Sequence, residues 1–329
     1  MFANTYKKEL LDAVLEQIWK QWTSLGVSGQ INEKGNFFVL DPEALLLFSS
    51  FFARFDQRLY DLIIDWLQLN GEMINIPRLK ALLKRSSGAD KNSLAFISGA
   101  VKIKKWNIFS KSLHPAKADR AVPLFLSVDG ISDHFIPHPD PSALSCGFER
   151  NQYVPGNKVV CFPDGTPGSL LLRLRGAFGL SARAEAILAL LNKEFCKISD
   201  VADCGGFSWK TARDVLEELT RSGLVVTLDD SKRGRDYFLK NAPLMRTLFG
   251  IETLIFPDWT SVFNAISKVY QVFNNPNLND VSEKTVLNEL QNAFAGVLNG
   301  GLHFCGIPSL ARLTPEEIMK LPQVIRMLN

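Results

Sequence analysis

The stretch at residues 181–240 constrains the fold of this chain more than any other part of its sequence. At its centre, residues 204–207 read Cys-Gly-Gly-Phe, and glycine allows the positive φ angle that a tight turn between two crossing helices needs. Ser208 follows as an expected N-cap, and apolar residues then recur at helical spacing until Ser222 and Gly223 end the pattern. The sequence therefore predicts two helices joined by one short turn.

The segments on both sides of this helix pair extend the pattern. The first helix of the pair is predicted at residues 198–202 with Ser199 as its cap, and another helix is predicted before it at 182–191. After the pair, residues 224–228 form a short apolar run, and 237–239 can return beside it as the second strand of a hairpin. The predicted order is thus three helices followed by a β-hairpin.

This order resembles the winged helix-turn-helix regulators of the MarR and ArsR type. The matching residues are Ile-Ser-Asp-Val-Ala from position 198, Gly-Phe-Ser at the turn, Thr-Ala-x-x-Val-Leu-x-x-Leu-x-x-Ser-Gly-Leu-Val from position 211, and a basic hairpin loop. The resemblance covers residues 181–240. It implies a winged helix within a domain at 169–245, and a bacterial-type protein that regulates transcription by binding double-stranded DNA.

The resemblance also implies which residues would contact DNA. In this fold the third helix enters the major groove, and its N-terminal half meets base edges. Arg213 is placed to make a bidentate contact with guanine, worth about 1–3 kcal/mol of discrimination. Helix N-terminal amides with Ser208 and Thr211 would hold a phosphate, and the hairpin cations would neutralise others. The implied DNA-binding residues are Ser208, Trp209, Lys210, Thr211, Arg213, Lys232, Arg233 and Arg235.

Other features of the same helix leave a second function open. Asp214, Glu217 and Glu218 make its C-terminal half acidic, and Asp229 and Asp230 precede the basic loop. Trp209 is an unusual residue for base reading and could instead pack on the hairpin or on another domain. Because winged helices also serve as protein-interaction modules, the alternative is an antitoxin-like or complex-forming protein whose winged helix does not read DNA.

The rest of the chain predicts a multi-domain, mainly α protein with a small amount of β structure. Residues 1–109 are expected to form an N-terminal helical domain, and 110–168 a proline-rich connecting region with short strands. A C-terminal helical domain is expected at 246–329. Several short helices and a basic segment within residues 41–105 leave a degenerate helix-turn-helix open as a second DNA-binding module, beside a plain helical bundle.

Individual helices of the N-terminal segment can be placed more closely. Asp41 and Asp56 are expected N-caps, and a further helix is predicted at residues 92–104. Between them, a helix that begins near Pro77 is expected to turn its leucines inward and its basic residues outward. The residues expected to face solvent on that helix are Arg78, Lys80, Lys84 and Arg85.

Composition and missing motifs narrow the class of function. The 329 residues include 37 basic and 34 acidic ones, so any nucleic-acid affinity must come from local patches. No catalytic or nucleotide-binding motif is present, and the cysteines and histidines lack metal-site spacing, so we expect no enzyme activity, no cofactor and no metal. No signal peptide or membrane span is evident, and scattered cysteines suit a cytoplasmic protein. A homodimer would suit a two-fold DNA site.

Overall fold

The structure, a computed structural model, describes residues 2–27, 38–115, 120–127, 136–156, 158–230, 234–278, 281–299 and 301–328. Helices account for most of these residues, and the strands form small two-stranded sheets. The prediction of a mainly α fold with a small amount of β structure is therefore confirmed. No helix within the described ranges combines the length and the apolar character needed to cross a membrane.

The N-terminal part of the chain is a succession of helices that begin at polar caps. The Asp41 carboxylate accepts a hydrogen bond from the amide of Ala44 at 3.0 Å, and that of Asp56 accepts one from Leu59 at 3.0 Å, so both predicted caps are confirmed. The helices up to residue 115 are α1 (Phe2–Ser24), α2 (Pro42–Phe52), α3 (Gln57–Asn70), α4 (Ile76–Arg85), α5 (Lys91–Ala100) and α6 (Lys104–Ser112).

The helix predicted at residues 92–104 is wrong in its extent. The chain leaves the helical conformation at Val101, whose backbone is extended, and a separate helix begins at Lys104. Val101 is fully buried, so the core holds the side chain at this bend. Periodicity alone did not show the break, because residues 101–103, which join the two helices, contain neither glycine nor proline.

In the described parts of the proline-rich region, regular structure is sparse. Strand β1 (Val122–Pro123) pairs in parallel with β2 (Phe148–Glu149), and α7 (Pro141–Ser145) lies between them in the chain. The C-terminal part is helical again. Its helices are α13 (Trp259–Gln271), α14 (Glu283–Asn299), α15 (Pro308–Ala311) and α16 (Leu321–Arg326).

The helices and the hairpin predicted between residues 181 and 240 are present in that order. They are preceded by α8 (Leu170–Phe178) and followed by α12 (Ala242–Leu248). The elements between these two are α9 (Ala182–Asn192), α10 (Ile198–Gly205), α11 (Trp209–Arg221), and the antiparallel strands β3 (Val225–Asp230) and β4 (Gly234–Leu239).

The start of α10 differs from the prediction. Ser199 does not cap this helix, which begins one residue earlier at Ile198. Asp200 instead reaches back, and its carboxylate accepts a hydrogen bond from the amide of Lys197 at 2.8 Å. Just before α10, Cys196 exchanges two backbone hydrogen bonds with Tyr237 of β4, at 3.0 and 2.9 Å. The link between α9 and α10 is thereby fastened to the hairpin.

Two hydrophobic clusters divide the chain differently from the predicted segments. One cluster contains side chains from α1 to α6 together with side chains from α13, α14 and α16. The other is formed by α8 to α11, the hairpin and flanking residues. The first and last parts of the chain thus share a core, and Tyr6 of α1 donates a hydrogen bond to the carbonyl of Ile318 at 2.8 Å. The four-part domain division of the sequence stays a prediction.

Arg78 contradicts the expectation that it faces solvent. Its side chain is 2% exposed and lies on the flank of α4 that meets α10. Its guanidinium donates to the carboxylates of Asp41 at 2.6 and 2.8 Å and of Glu43 at 2.8 Å, and to the carbonyl of Gly205 at 2.9 Å. Helical periodicity assigned it outward because its partners lie elsewhere in the chain.

A second buried arginine continues this ionic contact into α8 and α9. The Arg175 guanidinium donates to Glu43 at 2.7 and 3.0 Å and to Glu185 at 2.7 and 3.0 Å. Both of these glutamates are fully buried, as is Arg175 itself. We call the whole set the buried charge network, and its members are Asp41, Glu43, Arg78, Arg175 and Glu185.

Removal of one arginine from this network should destabilise the protein strongly. Arg175→Ala leaves Glu185 without its counter-charge in a buried site and leaves Glu43 with Arg78 alone, and such a change costs about 3–5 kcal/mol. Urea unfolding measures this loss in free energy. Lys320→Ala, which breaks the exposed pair with Glu317, is the matched control and should change stability far less than Arg175→Ala does. Equal losses in the two variants would contradict the importance of the network.

Acid should weaken the ion pair between Asp41 and Arg78 in the buried charge network. Burial alone would raise the pKa of Asp41, but the charge and hydrogen bonds of Arg78, with the Ala44 amide, hold that pKa below its ordinary value. The stabilisation is complete above the unfolded pKa of about 3.9 and is lost as the pH falls through the lower folded value. Wild type should therefore lose more unfolding free energy than Asp41→Asn between about pH 5 and pH 3. Parallel pH profiles of the two proteins would contradict this assignment.

Candidate nucleic-acid interface

The turn between α10 and α11 has the geometry that its glycines predict. Gly206 adopts a φ of +66°, the left-handed conformation that a side chain strains. The amide of Phe207 then donates to the carbonyl of Ala202 at 3.0 Å, which closes the turn. These contacts fix the direction in which α11 leaves α10.

Ser208 caps α11 as the sequence predicted. Its hydroxyl oxygen accepts a hydrogen bond from the amide of Thr211 at 3.1 Å and lies 2.9 Å from the Thr211 hydroxyl. Both residues are exposed, and the first turn of α11 therefore presents hydroxyl groups and helix N-terminal amides to solvent. This is an arrangement that suits an anion.

The two sides of α11 differ sharply in burial. Ala212, Leu216 and Leu219 are buried against α9 and the hairpin. Lys210, on the outer side of the helix, is exposed, and Trp209 at its N-terminal end is 54% exposed although it follows the stripe of Ala212 and Leu216. The N-terminal half of the helix is therefore open to a partner.

Arg213 is less available than the sequence suggested. Its guanidinium forms an ion pair with Asp214 at 2.9 Å, lies 3.8 Å from the Glu217 carboxylate, and sits 5.6 Å from the centroid of the Trp209 ring. The hydrogen bond and charge of Asp214 raise the pKa of Arg213. A base contact by Arg213 would require it to leave these neighbours.

The acidic half of α11 is also partly compensated. Glu218 pairs with Arg183 of α9 at 2.7 Å, and both side chains are exposed. Glu217 extends from the same exposed half of the helix. The C-terminal half of α11 is therefore acidic at its surface, and Arg183 neutralises one of its carboxylates.

Of the three hairpin cations predicted to bind DNA, Arg235 lies within the described residues. Arg235 of β4 lies opposite Asp229 of β3, and the two form an ion pair at 2.7 Å, whose hydrogen bond lowers the pKa of Asp229. Lys232 and Arg233 lie outside the described residues. On the outer face of the hairpin, Leu228 is 62% exposed.

Sequence reasoning missed the contact that holds this region to the rest of the molecule. Arg78 donates to the carbonyl of Gly205, and a Cβ built on Gly206 would lie 3.2 Å from the Leu82 side chain. The helix α4 thus abuts the turn that leads into α11. No local sequence signal could have shown this, because Arg78 and Gly205 are 127 residues apart.

A cleft of about 510 Å³ lies beside this contact, between the two hydrophobic clusters. Two cysteines on its wall are poor candidates for reactive groups, because burial raises the pKa of Cys196 to about 12 and also raises that of Cys204. Both thiols stay protonated near neutral pH. Within the described ranges, no group of three or more His, Cys, Asp or Glu side chains could hold a metal ion.

The cap of α11 can be tested by stability. Ser208→Ala removes the acceptor of the Thr211 amide and should lower the unfolding free energy by about 1 kcal/mol. Ser208→Gly is the matched control, since glycine at an N-cap position costs only a few tenths of a kcal/mol. Urea unfolding separates these values, and equal stability of the alanine variant and wild type would contradict the cap.

Comparison of the chain with protein-family models, with curated proteins and with solved structures found no match.

Proposed function

We propose that residues 181–240 form a winged helix through which this chain binds double-stranded DNA and regulates transcription. The observation that carries the proposal is the burial pattern of α11. One stripe of the helix packs against α9 and the hairpin, and its N-terminal end is exposed. The order of three helices followed by an antiparallel hairpin supports it. In this reading α11 enters the major groove and the hairpin is the wing.

The first turn of α11 would hold a phosphate group. Ser208 and Thr211 offer hydroxyl donors, and the unpaired amides at the helix N-terminus add a partial positive charge. Lys210 extends from the same exposed turn and would neutralise a second phosphate. These contacts would position the helix without reading sequence.

Arg213 would read a base directly, and to do so it would exchange its ion pair with Asp214 for a contact with guanine. Its ion pair with Asp214 is partly exposed, and exposed pairs of this kind contribute little to stability. A bidentate contact with guanine contributes about 1–3 kcal/mol of discrimination. Such a contact would favour sites that place a guanine within reach of Arg213. Trp209 beside it would pack on the groove wall, and Arg235 would exchange Asp229 for a phosphate in the same way.

The exposed apolar side chains favour a second candidate function. Trp209 and Leu228 are both more than half exposed, which is typical of a surface that meets protein. An antitoxin-like or complex-forming protein would use this surface in place of a DNA contact. A bacterial, cytoplasmic homodimer on a two-fold DNA site remains part of the first proposal, which we favour because of the cationic first turn of α11.

Binding to a random 30-bp duplex tests the DNA proposal. The logarithm of the association constant should fall steeply with the logarithm of salt concentration, and Lys210→Ala should reduce that slope by about 1. Fluorescence anisotropy at salt concentrations from about 50 to 200 mM measures both values. Lys284→Ala, an exposed lysine of α14, is the matched control and should leave the slope unchanged.

Two results would count against DNA binding. One is the absence of any measurable association with duplex at the lowest salt concentration. The other is a Lys210→Ala slope equal to that of Lys284→Ala, which would remove α11 from the contact. Either result would favour the protein-interaction function.

A further inference from the structure

Positive charge is concentrated in one part of this chain. Residues 76–115 contain nine Lys and Arg residues and a single acidic residue, Asp90. The remainder of the chain contains 28 basic and 33 acidic residues, so it is net negative although the whole chain is net positive. Asp90 does not neutralise this region, because it is paired at 2.7 Å with Arg54, which lies between α2 and α3.

Three of the nine cations are engaged within the fold. Arg78 belongs to the buried charge network, the Lys80 amino group lies 5.8 Å from the centroid of the Phe109 ring, and Lys105 donates to backbone carbonyls. The other six are exposed and form no ion pair with a described residue. Five of them lie on α4, on α6 or just before α6, and we call these five the basic ridge: Lys84, Arg85, Lys102, Lys104 and Lys111.

The ridge is a single surface because α4 and α6 lie side by side. Near the start of both helices, Lys105 donates to the carbonyl of Ile74 at 3.0 Å, and further along Lys80 approaches Phe109. The two helices therefore run in the same direction.

Their outer faces carry the charges of the ridge. On α6, Lys104 and Lys111 are seven residues apart and share the face opposite the buried Trp106 and Phe109. On α4, Lys84 lies opposite the buried leucines.

This surface adjoins the N-terminal end of α11. Arg78 of α4 donates to the carbonyl of Gly205, and Leu82 lies beside Gly206 in the turn that leads into α11. α6 packs on α4, and α4 in turn abuts the turn into α11, so the ridge and α11 lie on neighbouring elements. One helical turn of DNA spans about 34–36 Å, so a duplex is long enough to extend from α11 toward the ridge.

We infer that the basic ridge binds the phosphate backbone of the duplex whose groove α11 enters. The inference rests on the proposed function of α11 and extends it to a second surface. The ridge cations form no ion pair with a described residue, and Glu72, an acidic side chain that contacts α6, is paired with Lys105. Unpaired cations on one surface suit a polyanion. Ile108 is the one large apolar side chain on the outer face of α6, at 58% exposure, which is too little apolar surface for a membrane anchor.

The test compares two triple variants that remove the same charge. Lys84→Ala, Arg85→Ala and Lys111→Ala together remove three cations of the ridge. Lys8→Ala, Lys268→Ala and Lys284→Ala together remove three exposed cations from α1, α13 and α14. Both are titrated into the random 30-bp duplex over the same salt range. The plot of log affinity against log salt should be less steep for the ridge variant, by about 2–3 in the magnitude of its slope. The ridge variant should also bind more than tenfold more weakly at about 100 mM salt, whereas the control variant should stay near wild type.

The outcomes separate this inference from the proposal for α11. Equal slopes in the two triple variants overturn the role of the ridge, while Lys210→Ala still reports on α11. A lower slope in the ridge variant with an unaffected Lys210→Ala supports the ridge and overturns groove binding by α11.

A different macromolecule would also overturn the inference. Vesicles of phosphatidylcholine with one-fifth phosphatidylserine are the comparison, and ridge-dependent binding to these vesicles without binding to duplex assigns the surface to a membrane. Thermal unfolding checks that each variant is folded. If the triple variant unfolds, the single variants Lys84→Glu and Lys111→Glu carry the same test, since each should still lower the slope.

Discussion

The buried charge network lies where helices of two hydrophobic clusters meet. Two arginines and three carboxylates are removed from water there, and each arginine donates to carboxylates of two different residues. Desolvation of such groups is costly, so the contact is favourable only with this near-complete set of partners. Glu43 contacts both arginines and thereby links α2 and α4 to α8, and through Arg175 to α9. The relative placement of the two clusters depends on this geometry.

The same network reaches the proposed recognition helix through one backbone carbonyl. The Arg78 guanidinium donates to the carbonyl of Gly205, and α11 begins four residues after Gly205. The proposed functional surface is thus oriented by groups that never face solvent. It also follows that the exposed charge of α4 and the exposed face of α11 are fixed relative to each other, as a rigid two-part surface requires. An interface built on one rigid body loses less conformational entropy on binding than two flexibly linked modules would.

Local chemistry was readable in the sequence, and long-range chemistry was not. Aspartate before a proline or an amphipathic run predicted the caps of α2 and α3, and glycine with Ser208 predicted the turn into α11. Each of these signals acts within a few residues. Arg78 was misplaced because its partners are 35 to 127 residues away, and a basic residue on the flank of an amphipathic helix is normally solvated. The pairing of Arg213 with Asp214 was likewise hidden, although the two are adjacent, because side-chain direction decides it.

The shared core of the first and last helices has a consequence for biosynthesis. Side chains of α13, α14 and α16 complete the cluster that α1 to α6 begin, and the unit from α8 to α12 lies between them in the chain. On the ribosome, that middle unit emerges with its own core nearly whole, while the earlier helices still lack their later partners. The part made first is therefore finished last, and until then its apolar faces are open to chaperones or to misassociation. Circular permutation that joins α16 to α1 would remove this delay.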